Sequence, residues 1–123
     1  MAGRERLICA SAELIEGGEG FRFPLSTVWG DEVGFVVRFQ GEPVAYVDRC
    51  AHVPVELDWQ KGQFFDADRR YLICSVHGAL FEPSSGRCVS GPCRGGRLAP
   101  LTVVERDGQV FLLEPEQGPV RAG

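Results

Sequence analysis

Short apolar runs broken by glycine and charge follow one another along this chain, and no segment sustains the period of an amphipathic helix. Leu7-Ile8-Cys9-Ala10 predicts a first strand, and Glu16-Gly17-Gly18-Glu19-Gly20 a flexible turn before Phe21-Arg22-Phe23, which alternates as a strand does. Residues 33–39 and 43–48 are β-rich runs joined at Gln40-Gly41-Glu42, a predicted hairpin that delivers the chain to Cys50. Residues 54–60 and Phe64-Phe65-Asp66 have no regular period, and Trp59 with the two phenylalanines is expected to pack there as ordinary core aromatics. Residues 70–73 and 79–82 predict a second pair of strands. Residues 101–105 and 109–113 flank Asp107-Gly108, a dipeptide suited to a type I′ turn, and predict the clearest hairpin, closing a base sheet.

Composition supports an all-β fold class. Hydrophobic residues make up 44%, and 16 Gly and 8 Pro suit short strands and many turns better than a helical bundle. The 123 residues are expected to form one domain, with residues 115–123 as a frayed tail. The apolar run 7–12 is short and broken by Glu13, so no signal sequence is expected; no stretch is long enough to span a membrane, and the expected location is cytoplasmic. Five cysteines, an odd number, argue against a fully paired secreted disulfide framework. The net charge is −4 and the basic residues are dispersed, which predicts no nucleic-acid partner. No Gly-rich phosphate loop supports a nucleotide site.

The chemistry is concentrated between two short motifs, Cys50-Ala51-His52 and Cys74-Ser75-Val76-His77. The sequence has 2 histidines, and both fall here, each beside a cysteine. Thiolate and imidazole are soft and borderline ligands that suit iron-sulfur clusters or zinc. Paired zinc motifs more often place Cys with Cys and His with His, whereas one of each from each loop is what a Rieske 2Fe-2S centre needs. The pattern resembles the Rieske family. The resemblance extends downstream through His77-Gly78-Ala79-Leu80-Phe81, a Ser84-Ser85-Gly86 turn and Ser90-Gly91-Pro92, similar to the Gly-Pro loop that closes the family's cluster. The segment between the two motifs, residues 53–73, is longer than is usual in the family.

The resemblance implies a Rieske iron-sulfur fold, with antiparallel base sheets and a smaller cluster-binding lobe at about residues 48–98 of a single domain, 1–123. Cys50 and Cys74 would hold the inner iron of one 2Fe-2S cluster, and His52 and His77 the outer iron. It also implies a role as electron carrier, not itself an enzyme, taking single electrons from a flavin-dependent reductase to a terminal oxygenase or other redox protein. A complete Rieske oxygenase needs a further iron held by two histidines and a carboxylate, and here both histidines are committed. Two alternatives use the same residues differently: a small subunit of a nitrite-reductase-type enzyme, though those often lack cluster ligands, and a structural zinc module on the same Cys2His2 set. A thiol enzyme would leave one of the two Cys/His loops unexplained. High-potential relatives carry a serine and a tyrosine where this chain has Ala79 and Phe81, and a loop disulfide where it has Val55 and Val76, which implies a low potential. Cys9 reads as a buried apolar residue; Cys88 and Cys93, five apart, read first as small residues near the closing loop, and spacing leaves open whether they pair.

Overall fold

The computed structural model describes residues 4–27, 30–50, 55–58, 60–75, 78–91 and 96–114. In chain order the strands are β1 Arg4–Ala10, β2 Phe21–Thr27, β3 Gly30–Phe39, β4 Glu42–Val47, β5 Leu72–Ile73, β6 Leu80–Phe81, β7 Cys88–Ser90, β8 Pro100–Leu101, β9 Val103–Arg106 and β10 Gln109–Glu114, with one 3-10 turn at Ser11–Glu13. They form three antiparallel sheets, ordered β1-β10-β9, β2-β3-β4-β8 and β5-β6-β7. The described residues are therefore all-β, as the apolar pattern predicts. None of them forms a helix long and apolar enough to cross a membrane.

The four-stranded sheet is a wall shared by two apolar cores. Side chains alternate across a strand, so Phe35 and Val37 of β3 and Tyr46 of β4 enter one core, while Val36 of β3 and Ala45 and Val47 of β4 enter the other. Burial on both faces explains why Phe35-Val36-Val37 is an unbroken apolar run, each residue fully buried. Each such side chain stabilises the fold by roughly 1.5–3 kcal/mol. The first core also holds Cys50, Leu57, Phe64, Leu72, Cys74 and Phe81, with Phe64 stacked on Phe35 at 3.9 Å. The second holds Ile8 and Cys9 of β1 with Val110 and Leu112 of β10.

Two turns follow from local chemistry. Asp107 and Gly108 both have positive φ, 53° and 74°, as a type I′ turn requires, and Arg106 pairs with Gln109 across them. Gln40 and Gly41 repeat the arrangement at 52° and 82°. The left-handed conformation costs an ordinary L-residue such as Gln40 roughly 1–2 kcal/mol. The Glu16 carboxylate offsets that cost by accepting the N–H groups of Gln40 at 2.6 Å and Gly41 at 2.8 Å.

The strands differ from the sequence reading at three places. β2 continues through Pro24 to Thr27; it is an edge strand, where a residue lacking N–H is tolerated. β7 is an additional strand of three residues, too short to show a period, and the run read as 101–105 is divided into β8, which begins at Pro100, and β9, which begins at Val103. The C-terminal hairpin β9–β10 completes its sheet by pairing with β1, the most distant strand in sequence.

Candidate metal centre

Both cysteine loops leave the edge of the first core. After β4 the chain is turned by Asp48 N–H to the Val33 carbonyl (2.7 Å) and Arg49 N–H to the Val47 carbonyl (2.8 Å). Cys50 N–H then donates to the Val55 carbonyl at 2.8 Å and closes the first loop upon itself. The second loop grows from the β5–β6 hairpin, where Cys74 N–H donates to the Ala79 carbonyl at 2.9 Å and Gly78 N–H to the Cys74 carbonyl at 2.7 Å. The cysteines are 4% and 0% exposed, belong to one apolar core, and neither is in a disulfide.

Leu57 ties the loops together. Its N–H donates to Asp48 Oδ1 at 2.8 Å, two residues ahead of Cys50, and its carbonyl accepts Ser75 N–H at 3.0 Å, one residue past Cys74. The peptide units on the two sides of one fully buried residue thus reach both loops.

Of the predicted ligands the structure brings Cys50 and Cys74 together; His52 and His77 lie outside the described residues, as do Trp59, Val76, Pro92 and Cys93. Cys9 sits in the other core, where burial pushes its thiol up to about 11. Cys88 is disulfide-bonded, so of the two readings open for it the structure takes pairing over a merely small residue. Among the described cysteines, therefore, only Cys50 and Cys74 share a core as thiols. Two buried thiols at the ends of two loops, in apolar surroundings, suit a soft metal centre shielded from water.

Above the second loop Gly91 has φ +99°, and a Cβ there would lie 2.8 Å from Ala79 Cα and 3.4 Å from Ala79 N. The two backbones therefore approach closely at this glycine. Cys88 N–H donates to the Gly96 carbonyl at 2.9 Å, drawing together the ends of the segment that contains Gly91. Ala79 and Phe81 are fully buried and carry no hydroxyl.

Sequence reasoning missed a polar group on the other side of the first loop. Arg22 Nη1 donates to both Asp58 oxygens at 2.8 Å and to Asp48 Oδ2 at 3.1 Å, and both of its terminal nitrogens reach Glu56 Oε1 at 3.2 Å. The two aspartate side chains are wholly buried and Arg22 is 20% exposed. Burial pushes Asp48 up to about 8, helped by its hydrogen bond with Asp58. At Asp58 burial acts in the same direction, but hydrogen bonds from Asp48, Gly62 N–H and Arg22 outweigh it and hold the group below the usual carboxylate range. The sequence carried no such signal: Arg22 alternates with Phe21 and Phe23 as a polar strand position does, and its partners lie 26 to 36 residues away.

Solved structures share this fold. The terminal oxygenase of carbazole 1,9a-dioxygenase from Nocardioides aromaticivorans IC177 superposes with a TM-score of 0.74 at 23% identity, over 96% of this chain and 32% of that one. The corresponding oxygenase from Novosphingobium sp. KA1 gives 0.71 at 24% identity, over 96% and 31%. A chain in the complex of reduced oxygenase and oxidised ferredoxin of carbazole 1,9a-dioxygenase gives 0.68 at 21% identity, over 94% of this chain and 96% of that one. The chain thus spans about a third of the oxygenase chains it matches. No curated relative matches it. The family model of the Rieske [2Fe-2S] domain matches residues 5–114. With that match over nearly the whole described fold, the chain belongs to the Rieske [2Fe-2S] domain family, which implies one Rieske-type 2Fe-2S cluster.

Proposed function

We propose that Cys50, His52, Cys74 and His77 hold the cluster and that the protein is a cytoplasmic electron carrier, not itself an enzyme, which takes single electrons from a flavin-dependent reductase to a terminal oxygenase. The observation that supports this most is the convergence of Cys50 and Cys74, 0–4% exposed, in one core at the ends of two loops joined through Leu57. The bound cluster supplies reversible one-electron exchange. The protein's part is to exclude water from the thiolates and to fix both loops, so that little has to move when charge changes. The matched chain in the carbazole oxygenase–ferredoxin complex, similar in length to this one, makes an oxygenase the favoured acceptor.

Ala79 and Phe81 support a low potential, toward the lower end of the roughly −150 to +300 mV Rieske span. Neither can donate a hydrogen bond to cluster sulfur, so the extra negative charge of the reduced form is less well stabilised. Ala79→Ser and Phe81→Tyr should each raise the midpoint measured by voltammetry at pH 7. A strongly positive parent value, or no rise in either variant, contradicts the low-potential assignment.

Metal and sulfide analysis tests the carrier itself. Iron and acid-labile sulfide in equal amounts, with electrons accepted from a flavin reductase and passed to an oxygenase, support it. A colourless zinc protein defeats it in favour of the structural module.

A further inference from the structure

We propose that Arg22 is a positioning residue for the metal centre: from β2 of the base sheet its guanidinium fixes Asp48 and residues 56 and 58, and through Leu57 sets the two cysteine loops against one another. The inference rests on the reading of Cys50 and Cys74 as ligands.

The chain of contacts is continuous. Arg22 pairs with Phe35 across the β2–β3 ladder, so its backbone belongs to the wall of the first core. Its side chain meets Asp58 at 2.8 Å, Asp48 at 3.1 Å and Glu56 at 3.2 Å. Asp48 uses Oδ2 for Arg22 and Oδ1 for Leu57 N–H, so one carboxylate transmits the position of Arg22 to Leu57. Glu56 and Asp58 flank Leu57 in sequence, which holds that residue from both sides. Leu57 in turn accepts Ser75 N–H from the second loop. Asp58 also accepts Gly62 N–H at 2.8 Å, which ties the middle of the long inter-motif segment to the same point.

Three carboxylates whose oxygens lie within 4.8 Å of one another resemble a divalent cation site. Here the cation is Arg22. A guanidinium does this better than an ammonium because its planar fork reaches several carboxylates in fixed directions. The extra residues between the two motifs need such an anchor, since among described residues 55–71 make no regular strand of their own. The tie is made to the base sheet, not to the cluster lobe, so it holds the loops to a part of the molecule that need not change between redox states.

The test compares cluster-loaded parent, Arg22→Met and Arg22→Lys. Cluster loss to an excess of iron chelator is followed by bleaching of the visible absorption, and the g-values of the dithionite-reduced proteins are recorded. Arg22→Met should lose its cluster about 10-fold faster, the lower end of what loss of a ligand-supporting partner costs, and its g-values should shift. Arg22→Lys, which keeps the charge but not the fork, should fall between. Parental loss rates and g-values in both variants overturn the proposal, as does faster loss with parental g-values, which marks a merely structural role. If Arg22→Met does not fold, Arg22→Lys decides alone by the same two readouts. Cys50→Ser run alongside keeps the two readings apart: a Rieske signal surviving in it overturns the ligand assignment, whatever Arg22 does.

Discussion

The first cysteine loop is held by charge as well as backbone, and the second by backbone shape. Around Cys50 the backbone bonds to Val33, Val47 and Val55 are supplemented by a guanidinium and buried carboxylates reached over 26 to 36 residues of sequence. Around Cys74 the anchors are the hairpin hydrogen bonds to Ala79 and from Gly78, with Gly91 pressed on Ala79 from above. The difference follows from what precedes each motif. The second loop sits on a hairpin whose ladder positions it locally, whereas the first leads into residues 55–71, whose described residues form no strand and are tied to β2 through Arg22. Lesions in the two loops should therefore fail differently.

The largest effect is expected at the charged anchor. Removing one partner of a buried ionic group costs about 3 kcal/mol or somewhat more, because the stranded carboxylates have lost their counter-charge; the partial exposure of Arg22 keeps the figure at that lower end. Urea unfolding of Arg22→Met should show this loss. Adding Asp58→Asn should return part of it. A double variant no more stable than the single one would mean that packing, not charge, is what Arg22 supplies.

At the second loop the expected loss is smaller and cannot be rescued by neutralisation. Gly91→Ala places a Cβ 2.8 Å from the Ala79 backbone at φ +99°, and overpacking with an unfavourable φ should cost about 2 kcal/mol. The same unfolding assay should give equal losses at low and high salt, in contrast to Arg22→Met. A salt-dependent loss in Gly91→Ala would erase the distinction between the loops.

The smallest effect belongs to a link that both regions share. Tyr46 of β4 donates its hydroxyl to the Pro83 carbonyl at 2.6 Å, joining base sheet and β6–β7 turn. Tyr46→Phe should cost about 1 kcal/mol. Burial raises this phenol from its ordinary value of 10 to about 12. A raised pKa contributes stability that is complete below pH 10 and lost as pH rises toward 12, so the parent should weaken over that window more than Tyr46→Phe does. Parallel pH profiles in thermal melts would remove Tyr46 as the cause.

Much of this architecture is legible in the residues. The Asp107-Gly108 turn and the continuous Phe35-Val36-Val37 run each announce their structure through local chemistry. The Cys/His motifs single out Cys50 and Cys74, and both cysteines lie buried in one core. Arg22, Asp48 and Asp58 were not legible: their meaning lies in a three-dimensional meeting that no period or motif encodes. Strand β2 was read too short because proline breaks the pattern, although an edge strand tolerates it. The disulfide at Cys88 was left open by the sequence, since spacing alone does not fix the approach of two sulfurs.

Electron paramagnetic resonance of the dithionite-reduced protein, compared with Cys50→Ser and Cys74→Ser, tests the central claim most directly. A Rieske centre is predicted in the parent, with an average g-value well below that of an all-cysteine cluster, and no such signal in either variant. An all-cysteine-type spectrum in the parent, or a Rieske signal that survives the loss of Cys74, would contradict the account.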